Sequence, residues 1–239
     1  MSDRQTYEPT ALELMEYHVE ALFTHDRNGR LRHVNEPWPG AVPAPRLFLG
    51  RTADGPAVYR FRHDVPETLV GQLAELCADE PIVTDFETKP KHLDAYGSLL
   101  QGERVNSGPC FLVPDHTAPT AETIALTRDN AAEWLHGRFE WLIEELDYAQ
   151  PCMALVRDGR AVSVCRSVRI TSRAHEAGLE TLDDDRGKGY AAAVVAGWAK
   201  AVREAGRLPL YSTSWDNRAS RRVAEKSGLV PYGVAFTIF

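Results

Sequence analysis

From residue 153 onward the chain alternates short apolar runs with helical stretches, and glycines punctuate the joints. Residues 153–156 and 161–168 flank Asp158-Gly159, a dipeptide suited to a tight hairpin turn. Residues 175–182 read as a further strand, and residues 189–204, rich in Ala and Val, as a helix ended by Gly206. A strand over 208–214, a helix over 217–227 ended by Gly228, and a closing strand over 231–239 follow. A hairpin leading into strand–helix alternation predicts an α/β (α+β) fold, with a mixed, mostly antiparallel sheet and helices on both faces.

The preceding half is organised differently. Leu12, Met15, Val19, Leu22 and Phe23 recur at helical spacing, and a proline-rich connection runs over 36–45. Residues 46–49 and 57–62 read as hairpin strands around Asp54-Gly55, and 67–77 as a helix started by Pro66. Residues 26–35 read as a hairpin and resemble the opening strands of PAS-type sensor domains. After a crowding of Pro, Thr and Ala over 113–123, residues 123–126 read as a strand, and Thr127 is placed to cap a long helix carrying Trp134, Leu135, Phe139, Leu142, Ile143 and Leu146. The expected division is an N-terminal α/β half over 1–114 and a second domain over 115–239.

Composition narrows the classes of function. With 27 Lys and Arg against 34 Asp and Glu, the net charge of −7 argues against a nucleic-acid partner. No apolar run approaches the roughly 20 residues of a membrane span, and the polar residues 1–8 lack the apolar core of a secretory signal. Cys77, Cys110, Cys152 and Cys165 form no C-x-x-C pair and read as reduced core thiols. The expected setting is cytoplasmic, with neither nucleic acid nor membrane as partner and no metal site; a homodimer is compatible. There is no G-x-S-x-G, H-E-x-x-H or complete P-loop motif.

Chemistry is concentrated at Arg186-Gly187-Lys188-Gly189-Tyr190-Ala191, where a strand hands over to a helix. The first N–H groups of a helix have no intrahelical acceptor, and the helix dipole favours an anion there. Glycines let the backbone approach a phosphate closely, and Arg186 and Lys188 add charge. A plain glycine turn with two solvated cations is the other reading of these six residues. The neighbouring Asp183, Asp184 and Asp185 read as a solvated loop directed outward, or as a lure for a cationic amine.

The same segment matches R-x-x-G-x-A, a pyrophosphate-binding motif of the GNAT (general N-acetyltransferase) superfamily. Asn217 to Ser220, followed by Ala224-Glu225-Lys226-Ser227-Gly228-Leu229, resembles the second signature, N-x-x-S then A-E-K-x-G-F/L. The two stand in the family order, and the resemblance covers about residues 122–239. It implies a GNAT-like acyl-CoA N-acyltransferase fold and an acetyl-CoA-dependent N-acetyltransferase, using acetyl-CoA or another short acyl-CoA to acylate a small-molecule or peptide amine by direct attack. It implies that Arg186, Gly187, Lys188, Gly189, Tyr190 and Ala191 meet the CoA pyrophosphate, that Thr181 and Leu182 meet the pantetheine arm as an added strand, and that Asn217 bonds the arm. In the family this strand carries a bulge and splays from its neighbour, and a backbone N–H near 179–181 polarises the thioester. Where many members carry a tyrosine acid, this chain has Ala224; Ser220 is the nearest replacement, with Tyr211 and Tyr232 as further hydroxyls. His175 falls where some members carry a glutamate base, with Glu176 next to it on the opposite face and Glu180 beyond. Glu176 is the preferred base. The missing tyrosine keeps open an alternative, a non-catalytic acyl-CoA-binding regulatory or sensor module. The N-terminal half is expected to shape the acceptor pocket, or to form a degenerate second acetyltransferase-like unit.

Overall fold

The computed structural model describes residues 8–102, 104–117 and 120–239, so residues 1–7 and part of the 113–123 junction lie outside the described residues. Helix α1 (Ala11–Leu22) is set by its ends. The Thr10 side chain accepts from the Glu13 N–H, Glu13 accepts from the Thr10 N–H at 2.9 Å, and Asp54 accepts from the Ala11 and Leu12 N–H groups at 2.7 and 2.9 Å. Strands β1 (Phe23–His25) and β2 (Leu31–Val34) make a hairpin as a separate two-stranded sheet, its first strand lying before the expected range 26–35 and including Phe23, which the helical spacing assigns to the helix.

The remaining strands are β3 (Leu47–Thr52), β4 (Val58–Phe61), β5 (Val105–Leu112), β6 (Ile124–Ala125), β7 (Cys152–Arg157), β8 (Arg160–Ile170), β9 (Ala174–Thr181), β10 (Leu208–Ser212) and β11 (Val230–Ile238). They form one nine-stranded sheet in the order β4-β3-β11-β5-β10-β9-β8-β7-β6, antiparallel throughout except for the β9–β10 pair. The two halves of the chain are interleaved, because β5 lies between β10 and β11.

Helices cover both faces. Helix α1 buries Leu14, Met15 and Val19 against Phe48, Cys110, Leu210 and Tyr232. Helices α2 (Glu67–Ala78) and α3 (Leu93–Leu100) pack on the opposite face, through Leu73, Cys77, Tyr96 and Leu100 against Leu47, Leu49 and Phe236. Helices α6 (Tyr190–Glu204) and α7 (Arg218–Lys226) share a core of Val194, Trp198, Ala224, Tyr211 and Cys165.

The long helix expected after Thr127 is broken into α4 (Ala131–Trp134), a tight turn over Gly137–Phe139, and α5 (Leu142–Glu145). Leu135 leaves the helical region and Gly137 adopts a left-handed φ of 60°, yet Leu135, Phe139, Leu142 and Leu146 are all buried. Burial of the apolar set is satisfied without helical continuity. Helix α3 and strand β5 are not apparent in the sequence pattern.

Candidate active site

Strands β9 and β10 start as neighbours and then part. Leu208, Pro209 and Leu210 pair with Ala174, His175 and Glu176, and the pairing stops there. Beyond it β9 stays with β8 as far as Ser163↔Thr181, while β10 follows β5 through Leu210↔Leu112, Tyr211↔Phe111 and Ser212↔Cys110. Gly108 permits this course, since a Cβ there would overlap the Thr213 carbonyl. One edge of β9 from Ala177 to Thr181 is therefore left without a partner strand, as the family resemblance implies. The expected bulge falls on the neighbouring strand instead. Ser167 pairs with Ala177 and Arg169 with Glu176, so Val168 is the extra residue. Gly178 accommodates it, because a Cβ at 178 would run into the Val168 side chain.

At the open end of this gap the chain turns into α6. Gly187 and Gly189 have φ of 80° and 84°, with open space where a side chain would stand. The first intrahelical bond of this turn is Ala193 N–H to the Gly189 carbonyl. Among the described residues, the N–H groups of Gly187, Lys188, Gly189, Tyr190 and Ala191 meet no acceptor in the protein. Five free amides at the positive end of a helix dipole fit a diphosphate. The flanking cations are engaged locally: Lys188 Nζ donates to Asp185 Oδ1 at 2.8 Å, and Arg186 lies 2.8 Å from Asp183. Asp185 is buried in that ion pair, not directed outward into solvent. Arg157 lies 5.2 Å from the Tyr190 ring centre. Thr181 and Leu182 hold the end of β9, through Thr181 Oγ1 at 2.7 Å from Ser163 Oγ and the Leu182 N–H to the Val162 carbonyl.

Each face of the sheet presents a different polar group to the place where β9 and β10 part. On the α7 face, the Tyr211 and Ser220 hydroxyls share a 2.5 Å hydrogen bond. Asn217 caps α7 by accepting from the Ser220 N–H at 3.1 Å. Burial raises the Tyr211 phenol to about 12, against a smaller lowering by Ser220. On the α1 face, Glu176 is buried at 4% exposure. Ser212 Oγ donates to Glu176 Oε1 at 2.6 Å, and His18 Nδ1 stands 4.0 Å from Oε2. Loss of hydration raises the Glu176 carboxyl to about 7, opposed by the Ser212 bond and the Arg169 charge. His18 shares a 2.5 Å hydrogen bond with the Tyr232 hydroxyl, and burial lowers its imidazole to about 4.

His175 and Glu176 do point to opposite faces. His175 lies beneath α6, with Nδ1 at 2.9 Å from Ser167 Oγ, which in turn accepts from Trp198 Nε1 at 3.0 Å. Burial, then the nearby Arg207 charge, lowers its imidazole to about 4. The structure thus brings Glu176, Ser220 and the 186–191 turn around one gap and sets His175 apart from Glu176. His18 is the polar neighbour that sequence reading passes over; its signal is a histidine on the apolar stripe of α1, between Leu14, Met15 and Val19.

A GCN5-related N-acetyltransferase from Kribbella flavida aligns at a TM-score of 0.48 and 19% identity, covering 97% of this chain and 96% of that one. A GNAT-family acetyltransferase from Colwellia psychrerythraea gives 0.46 and 14%, covering 80% and 81%. A GNAT-family acetyltransferase structure from Novosphingobium aromaticivorans gives 0.42 and 16%, covering 57% of this chain and 65% of that one. No curated protein sequence matches. The model of the acetyltransferase (GNAT) domain matches residues 87–230, more than half of the chain and inclusive of β5. The chain belongs to the GNAT acetyltransferase domain family.

Proposed function

We propose that the protein is an acyl-CoA-dependent N-acyltransferase, with acetyl-CoA or another short acyl-CoA as co-substrate and a primary amine as acceptor. One observation carries the reading: five unpartnered amides at the start of α6 stand beside the strand edge that β10 leaves free. The amides of Gly187 to Ala191 hold the pyrophosphate, with Arg186 beside them. Thr181 offers the backbone edge along which the pantetheine amides pair, Leu182 having its N–H on the Val162 carbonyl, and the Asn217 amide group bonds the arm.

When bound, the acyl-CoA supplies an activated thioester carbon. Glu176 accepts the proton that the amine gives up, through one intervening water, as the amine nitrogen bonds to that carbon and the C–S bond breaks. The Tyr211–Ser220 pair returns a proton to the departing sulfur, leaving an amide and a free thiol. A carboxyl near 7 is matched to this task at neutral pH, since it is partly ionised there yet holds a proton well. His175, bonded to Ser167 on the far face, takes no part in this assignment.

The test is thiol release from acetyl-CoA across a broad panel of amines, amino acids and peptides, with Gly189→Val alongside. At least one acceptor is expected to release thiol, and the variant to lose both turnover and CoA binding. Tight CoA binding without release from any acceptor would overturn the catalytic reading in favour of a CoA-binding module.

A further inference from the structure

Buried side-chain polar atoms without a hydrogen-bond partner gather on one face of the sheet. Ten occur among the described residues, and five of them, His18 Nε2, Glu145 Oε2, Arg166 Nε, Arg169 Nε and Glu176 Oε2, belong to residues grouped over β8 and β9. Buried polar groups are ordinarily paired, so a local concentration of exceptions marks a place where a ligand completes the set.

The bulge at Val168 builds this place. Strict alternation would turn positions 166 and 169 to opposite faces. The extra residue returns Arg169 to the side of Arg166, so that Arg169 stands across from Glu176 and Arg166 across from Gly178, two residues further along β9. The side chains of Arg166 and Arg169 are 13% and 18% exposed. Their ion pairs, with Glu145 at 3.6 Å and Glu36 at 3.8 Å, exceed hydrogen-bond length. Arg166 also lies 4.7 Å from the Trp141 ring centre. Arg169 Nη1 donates to the Val168 carbonyl at 2.5 Å, which leaves its Nε, and the Arg166 guanidinium beyond its long Glu145 pair, to receive a carboxylate, beside a Glu176 oxygen left to receive a nitrogen. This side of the gap is opposite the helix that carries the free amides, so an acceptor here and the CoA pyrophosphate occupy different faces of the sheet.

Resting on the acyltransferase reading, we propose that the acceptor is zwitterionic: an amino acid, or a molecule presenting the same amine and carboxylate pair, with its carboxylate on Arg166 and Arg169 and its amine toward Glu176. The probes are the common N-acetyl amino acids and their carboxamides, titrated calorimetrically into the full chain with and without CoA. At least one free acid should bind about tenfold or more tightly than its carboxamide. That preference should vanish in Arg169→Gln and partly return in Arg169→Lys, with CoA affinity unchanged; Arg166→Gln serves as the second variant if Arg169→Gln does not fold. Equal binding of acids and carboxamides, or no binding of any free acid, would overturn the proposal. Failure of CoA itself to bind would instead overturn the acyl-CoA reading, while the acid-to-amide ratio measured without CoA still decides this one.

Discussion

Replacing Glu176 by Gln tests the base through stability and rate together. Glu176 is buried, and its carboxyl titrates near 7 instead of 4.5 because burial penalises the charge. A group raised in this way contributes stability that is fully present below 4.5 and lost as pH rises through about 7. At roughly 1.4 kcal/mol per pH unit, the loss is capped at about 3 kcal/mol. Gln keeps an oxygen for the Ser212 hydroxyl and carries no charge, so Glu176→Gln should gain on the wild type by about 2–3 kcal/mol between pH 4.5 and 8. For a chain of this length that is a relative rise in Tm of about 5–10 °C. His18 moves the other way: its lowered imidazole contributes stability present above 6.5 and lost as pH falls through about 4. That contribution is common to both proteins and largely cancels in their difference. Thermal denaturation of the two across this pH range is the assay. In parallel, kcat/KM should fall by about a hundredfold or more, and the limb that rises through pH 7 in the wild type should disappear. A stability difference that does not change with pH, or one that moves in favour of the wild type as pH rises, would rule out a raised Glu176 carboxyl.

Other substitutions separate the remaining parts. Gly189→Val forces a branched side chain to φ 84°, at a cost of about 1–2 kcal/mol; the fold should survive thermal denaturation scans while CoA binding by calorimetry is lost. Tyr211→Phe removes the hydroxyl bonded to Ser220 and should lower kcat about a hundredfold, with a smaller effect on KM. Ser220→Ala leaves the Tyr211 phenol in place and should cost less in kcat, as read by the same steady-state assay. Gly178→Ala drives a methyl group into Val168 and should destabilise by about 1–3 kcal/mol; Val168→Ala in the same chain should recover most of it in urea denaturation.

The second half of the fold was legible because its elements are short, glycine-bounded and periodic: β7 to β11, α6 and α7 lie where the apolar runs and Gly206 and Gly228 put them. Strand β5 was not, since Gly108 and Pro109 stand in its middle and proline argues against a central strand. Those residues serve the tertiary course, with Gly108 admitting Thr213 and the Pro109 carbonyl accepting from the Thr213 N–H. The helix expected after Thr127 is interrupted although its buried leucines keep helical spacing, and only the backbone of Leu135 and Gly137 reveals the break. At the site, the amide cradle was readable from its glycines and the opposite facing of His175 and Glu176 from alternation. Which of those two meets the gap depends on where β10 leaves β9, a long-range property. His18 and Arg169 come to Glu176 through helix docking and a bulge; Arg169 leaves no local pattern, and His18 only its place on the apolar stripe of α1.

The central claim is that the turn before α6 grips a diphosphate and that the thioester lies where β9 and β10 separate. A crystal structure of the protein with acetyl-CoA measures this directly. Pyrophosphate oxygens are expected within hydrogen-bond distance of the amides of Gly187 to Ala191, with the sulfur between Ala177 and the Tyr211–Ser220 hydroxyls. A diphosphate bound elsewhere, or a pantetheine arm lying outside the gap, would contradict it.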